Sequence, residues 1–458
     1  MLSQFKQNAA AAAEIGDRGP QQSSAPNKRQ RVASPPPETT LPTVPVRTIY
    51  IVCPPRQQSG GPEAMHQLCD RLNTHPTINN VFMLYIQEHK NSASKVITSA
   101  NHYQSPLATP TTYSSLYNCP VAPSLPMNIS TELIIYPECW THLIDSFPQA
   151  QIAIWWLSVD NNHSQFQQFH RKDVLHLYQS HYAKHYLLSH MTPPENILEM
   201  TEYIAPSRIP PVGAVDSGFR DLDVLYNPAK GVHYTDAIRS RSEEGYKLQK
   251  GGMNNSSRSS HDGGTSSTTI SSKMRFRPIG EGLGGRKRIS PEEVTSLLLR
   301  SKVYIDFGPH PGMDRLPREA ALCGCIIVTN GEGSAGFPKD YPIPEEYRIR
   351  TFDVDTVHKI LRKSIDEFEE RRGSFEDYRE WIMGQFDRME ECVKVFLDKV
   401  VEERRISSEI VTGIALDGVR GSTHGKDIED EDEVRSYGNA KKGDDSSLGS
   451  GNDDTGIF

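Results

Sequence analysis

The stretch FGPHPGMDRLPREAALCGCIIVTN, residues 307–330, decides the fold of this chain. Its flanks are apolar and its start is not. Upstream, KVYIDFG reads as a strand; within it, LPREAALCGC reads as a helix, and CIIVTN reads as the next strand. Strand, helix and strand in that order are the repeating unit of a parallel sheet covered by helices. The connecting loop gathers two glycines, His310, Asp314, Arg315 and Arg318, with Glu319 near the helix start. Pro309, His310, Pro311 and Gly312 make a stiff turn. Ligands of such sheets lie beyond the carboxyl ends of the strands, so this crowding of polar groups suggests a site. The planar fork of an arginine suits phosphate or carboxylate, and a glutamate can accept two sugar hydroxyls, which together suit a sugar nucleotide. A salt-bridge network holding loop to helix is the structural alternative.

The same alternation runs outward in both directions. From Arg47, RTIYIVCPP is an apolar run closed by prolines, and RQQSGGPEAMHQLCDRLNTHP reads as a glycine loop followed by a helix. There Pro62 suits the first turn, and Met65, Leu68, Cys69 and Leu72 recur at helical spacing. VFMLYIQ, TELIIYPECW, QIAIWWLSVD and DVLHLYQSHYAKHYLLSH supply further strands with intervening helices. A second series opens at DLDVLYNPAKGVHYTDAI, where an apolar strand again meets a loop, Asn227 to Gly231, before a helix. In ISPEEVTSLLLRS, Ser290 as cap, Pro291 in the first position and Glu293 three residues after the cap spell a capping box. The expected architecture is α/β: two doubly wound, Rossmann-like domains facing a cleft, at 45–215 and 216–405, the second interrupted by a flexible Ser/Gly-rich insertion at 240–273. Residues 1–44 and 406–458 are expected to be disordered tails, the second of them acidic.

Bulk properties narrow the class. With 36% hydrophobic and 24% charged residues, 458 positions can build two or three ordinary cores. The net charge of −8 is concentrated: residues 421–458 hold ten acidic and four basic side chains, or −6, and residues 1–40 hold five basic and three acidic, or +2. That leaves −4 for the body, which argues against nucleic acid or an anionic membrane as a partner. Seven scattered cysteines without a CxxC pair fit reduced thiols in the cytoplasm, and no apolar run is long enough to span a membrane. The run Lys28, Arg29, Gln30, Arg31 could serve as a nuclear import signal or be plain solvated charge.

The glycine loops stand at strand ends. Gly60 and Gly61 are either a plain tight turn, the commoner reading of a lone glycine pair, or a close backbone approach to a ligand before a helix start, whose free N–H groups attract anions; Lys230 beside Gly231 is either a phosphate partner or an exposed lysine.

On SGGPEAMHQLCDRL, VLYNPAKG and PREAALCGCIIVTNGEGSAGF, with YPECW, WWLSVDN and SHYAKHYL extending the match, the chain resembles GT-B glycosyltransferases over residues 46–405. The resemblance implies transfer of a sugar from a nucleotide-diphosphate sugar to a carbohydrate or other hydroxyl acceptor. It implies a donor site of Gly60, Gly61, Lys230, His310, Gly312, Arg315 and Glu319. Glu319 matches the second of two family glutamates spaced eight apart; Pro311 stands where the first would be, and His310 is the nearest polar candidate. No Asp-x-Asp stands at a strand end, so the diphosphate is expected to be neutralised by N–H groups, Lys230 and Arg315, with neither metal nor cofactor. An inverting enzyme would need a base on the first domain, for which Glu63, His66 and Glu138 are candidates, His66 being equally readable as a packed helix histidine. A sugar-nucleotide epimerase and a noncatalytic nucleotide- or glycan-binding protein share the architecture.

Overall fold

The structure, a computed structural model, describes residues 46–402 apart from 79, 88–95, 163–165, 212, 218, 256–272 and 281–288. The two expected tails, the basic run at 28–31 and the centre of the expected insertion lie outside the described residues.

Eleven strands are described, and every pairing between them is parallel. In the first half, β1 (Thr48–Cys53), β2 (Val81–Tyr85), β3 (Glu132–Pro137), β4 (Gln151–Trp156), β5 (Val174–Tyr178) and β6 (Ile197–Glu199) form a six-stranded sheet in the order β2-β1-β3-β4-β5-β6. In the second, β7 (Leu222–Tyr226), β8 (Phe276–Pro278), β9 (Ser301–Asp306), β10 (Ile326–Asn330) and β11 (Arg348–Ile349) form a five-stranded sheet in the order β11-β10-β9-β7-β8. Both are doubly wound, as the alternation of strand and helix patterns requires.

Burial follows the pleat. Ile49, Ile51 and Cys53 of β1 join Met65, Leu68 and Leu72 of α1 (Gly60–Thr74) in one core cluster, while Tyr50 and Val52 join another on the opposite face. A sheet covered on both faces needs apolar side chains at successive positions, which is why these strands read as continuous runs. The helices used below are α2 (His181–Ser189), α3 (Val232–Asn255), α4 (Pro291–Leu299), α5 (Arg315–Leu322), α6 (Val354–Asp366), α7 (Glu376–Met383) and α8 (Gln385–Leu397). The capping box of α4 is present: the Ser290 hydroxyl accepts from the Glu293 N–H at 3.2 Å, and the Glu293 carboxylate accepts from the Ser290 N–H at 2.8 Å.

Three features differ from expectation. Gly60 and Gly61 are the first two residues of α1 rather than a preceding loop, with Ser59 as the cap. Helix α3 continues to Asn255, well into the stretch expected to be an insertion from 240. There Glu243, Glu244, Lys247, Leu248 and Gln249 are good helix formers extending an existing helix, and elongation costs far less than a fresh start. Lastly, α8 returns to the first half. Met389, Cys392, Val393, Phe396 and Leu397 pack into the cluster of β1 and α1 instead of closing the second sheet's core, and the Val46 N–H donates to the Val400 carbonyl at 3.2 Å.

Candidate active site

In each sheet the winding direction reverses once. The reversal lies between β1 and β3 in the first sheet and between β7 and β9 in the second, and the crevice at such a reversal is where parallel α/β sheets hold ligands. The residues singled out by sequence sit at these points. Glu63 and His66 follow β1 on α1, and Glu138 follows β3; Lys230 follows β7, and the loop carrying His310 to Arg315 follows β9.

The loops after β7 and β9 press together. Gly231 has φ 56°, and a Cβ there would stand 2.5 Å from the backbone of Phe307, so glycine is needed on both counts. The Lys230 ammonium donates to the Asp314 carboxylate at 2.7 Å. The other Asp314 oxygen pairs with His310 Nδ1 at 2.7 Å. Burial disfavours a charged His310 ring, but the Asp314 hydrogen bond and the charges of Asp306 and Asp314 outweigh it and hold the ring above its ordinary value. Asp306, His310 and Asp314 each bring one ligand atom within 4.8 Å of the others, which is metal-site spacing. All three are engaged by the protein: Asp306 accepts from the Gly308 N–H and the Tyr304 hydroxyl, both at 3.2 Å, and Asp314 pairs with both His310 and Lys230.

The turn beyond His310 meets the first half directly. The Val159 N–H donates to the Pro311 carbonyl at 3.1 Å, and the Met313 N–H donates to the Gln179 side chain at 3.1 Å. Gly312 lies so close to the backbone of Leu157 that a methyl group would fall on that carbonyl oxygen. Arg318, 1% exposed, pairs with Glu202. Asp340 accepts from the backbone N–H groups of His181 and Tyr182 at 2.7 and 3.1 Å, capping α2 from the other half.

Between the two reversal points four charges form a ring. Glu63 accepts from Arg315, from Arg208 at 3.5 Å and from the Tyr117 hydroxyl at 3.1 Å. Glu319 lies 3.4 Å from Arg208 and 3.7 Å from Arg315. Burial raises the proton affinity of Glu319, the neighbouring Glu63 adds to it, and Arg315 and Arg208 pull the other way. Each carboxylate is nearly enclosed, whereas about a fifth of each guanidinium side chain is exposed.

The other first-half candidates are placed differently. His66 is fully buried, with Nδ1 2.6 Å from the Pro62 carbonyl and Nε2 2.8 Å from the Tyr85 hydroxyl, and burial lowers it to about 4. It is a neutral packed histidine. Glu138 is lifted to about 7 by burial, against the backbone N–H groups of Glu138, Leu157 and Ser158, which favour the charged form. Gly60 and Gly61 have no tight neighbour; a Cβ on Gly61 would meet only Leu157, at 3.8 Å. A cavity of about 390 Å³ opens at the first reversal point between Arg56, Gln57, Gln87, Tyr103 and Trp140. Another of about 280 Å³ lies between the halves, where Glu199, Arg388, Asp340 and Trp381 meet.

Sequence reading missed Arg208, Glu202 and Asp340. Arg208 sits in PSRIPP, whose prolines mark a connecting segment and carry no hint that its side chain bridges the two halves.

No protein-family model matches the chain, and no curated protein matches it. Among solved structures it is similar to a sucrose-phosphate synthase from Thermosynechococcus elongatus, at 14% identity over 79% of this chain and 100% of that one, with a TM-score of 0.46. A glycosyltransferase from Rickettsia africae ESF-5 overlaps at 10% identity, 78% and 99% coverage and a TM-score of 0.47. WaaG, a glycosyltransferase involved in lipopolysaccharide biosynthesis, overlaps at 12% identity, 77% and 100% coverage and a TM-score of 0.41. Overlaps this loose leave the chemistry to be read from the chain's own side chains.

Proposed function

We propose that this chain is a glycosyltransferase that takes a nucleotide-diphosphate sugar as donor and a hydroxyl compound as acceptor. One observation carries the reading: Lys230, Arg315 and Glu319 converge at the reversal point of the second sheet, facing the reversal point of the first. A diphosphate needs cations and a sugar or ribose needs a paired acceptor; this corner offers both within one turn of α5. Lys230 and Arg315 would neutralise the diphosphate without a metal ion, Glu319 would accept two hydroxyls, and His310 and Gly312 would shape the loop around the donor. Gly60 and Gly61 would let the first turn of α1 approach it. Of the first-half candidates for a base, Glu138 has a proton affinity suited to neutral pH, whereas both nitrogens of His66 are engaged.

The test is a panel of nucleoside-diphosphate sugars scored by thermal shift on the full chain, followed by transfer assays with the compound that binds. A ligand at a hundred times its dissociation constant adds about 2.7 kcal/mol and raises the melting temperature measurably. A panel in which no nucleoside-diphosphate sugar stabilises the protein would sink the reading.

A further inference from the structure

The ring of Glu63, Arg208, Arg315 and Glu319 has an arrangement that structural salt bridges do not need. Each guanidinium touches both carboxylates, and the carboxylates come from opposite halves: Glu63 from α1 and Glu319 from α5. Two positive and two negative charges sum to zero, so in this state the corner offers an incoming dianion no net attraction. Remove Glu63 and the sum is +1, with two planar forks aimed at one place. Two arginines on one carboxylate reproduce what two arginines do to a phosphate.

The two carboxylates are not equivalent. Glu319 lies one helical turn from Arg315 on the same helix and stays beside it whatever the halves do. Glu63 reaches Arg315 across the cleft, so a small separation of the halves, or a rotation of its own side chain, releases it. Arg208 belongs to neither helix and can follow an anion, and a fifth of its side chain already faces solvent.

We propose that Arg208 joins Arg315 and Lys230 at the diphosphate site and that Glu63 is its built-in competitor, occupying the two guanidiniums until a diphosphate displaces it. The identity of the anion rests on the reading given under Proposed function; the exchange itself does not. Arg208 thereby becomes a donor-binding residue from the segment joining the halves, and Glu63 sets the concentration at which the site fills.

The experiment measures calorimetric binding of inorganic pyrophosphate to the full chain as wild type, Glu63→Gln, Arg208→Ala and the double variant, then repeats it with the nucleoside-diphosphate sugar that gives the largest thermal shift. Glutamine keeps the shape and the contact with Tyr117 but loses the charge, so Glu63→Gln should bind pyrophosphate roughly tenfold tighter, and Arg208→Ala roughly tenfold weaker, the scale of one charge-assisted contact. The double variant should fall back to weak binding. If Glu63→Gln unfolds, Glu63→Asp, which keeps the charge but withdraws it by one carbon, should still tighten binding. Unchanged or weaker pyrophosphate binding in the folded Glu63 variants, or no binding in any of the four proteins, overturns the proposal. Tighter pyrophosphate binding without binding of any nucleoside-diphosphate sugar would uphold the exchange while refuting the proposed donor.

Discussion

Glu319 and Glu138 are both enclosed carboxyl groups, yet their surroundings differ. Glu319 has two arginines for neighbours, both on Oε1, and in the proposed function it accepts donor hydroxyls. Replacing it with alanine should weaken donor binding by about 1.5–3 kcal/mol, the scale of hydrogen bonds to a charged group, with the fold retained; unchanged affinity in a calorimetric titration would contradict its role. Glu138 faces backbone N–H groups and is lifted to about 7 by burial. Since its value in the unfolded chain is near the ordinary 4.5, folding favours the protonated acid. That contribution is complete below about pH 4.5 and is lost as the pH rises through 7. Glu138→Gln stays neutral throughout, so its stability relative to the parent should improve from about pH 5 to about pH 8 by at most ~3 kcal/mol. Parallel melting curves across that range would show that Glu138 does not titrate as described. Gly312 is constrained by space alone, because its neighbour is the rigid backbone of Leu157. Gly312→Ala should cost about 3 kcal/mol by urea titration, the upper range for overpacking, and a midpoint unchanged from the parent would mean that the two backbones separate freely.

At the scale of elements, what could be read in advance was whatever is local. Apolar runs ending in Pro, Gly or charge gave β1, β3, β4 and β9, because a strand buried on both faces writes itself as a continuous run. The cap of α4 was legible because its two partners lie three residues apart. The loop from His310 to Glu319 was legible as a site for the same reason: its charges are neighbours in sequence. The partners of that loop were not. Arg208 meets Glu319 at a separation of 111 residues and Glu63 at 145, and Asp340 reaches His181 across 159; no periodicity reports such distances. Helix α8 is the same lesson in apolar form. Its spacing announced a buried face but not which core it would join, and it joins the first. Phe396→Ala should therefore destabilise by about 3–5 kcal/mol, the range for a buried aromatic. Calorimetry should show the loss in the unfolding of the first half; a transition confined to the second sheet would contradict the packing.

At the scale of the whole molecule, contacts of different kinds among the described residues hold the halves together, the Asp340 cap on α2 being one of them. Another is a seam of backbone and buried pairs, Val159 with Pro311, Met313 with Gln179 and Arg318 with Glu202. A third is the partly exposed ring around Glu63. The ring is made of side chains that solvent can reach in part, with about a fifth of each guanidinium side chain exposed, so ions and ligands can loosen it.

The return of α8 to the first half also bears on how the chain is made. A ribosome delivers β1 and α1 early, but Met389, Val393 and Phe396, which complete their core, come some two hundred residues after β6. At roughly 5–20 residues per second, that part of the first core stays uncovered for about 10–40 seconds of synthesis. The amino-terminal half thus cannot finish folding as it emerges, and premature termination anywhere before α8 should yield a product with an exposed apolar face that chaperones and proteases recognise.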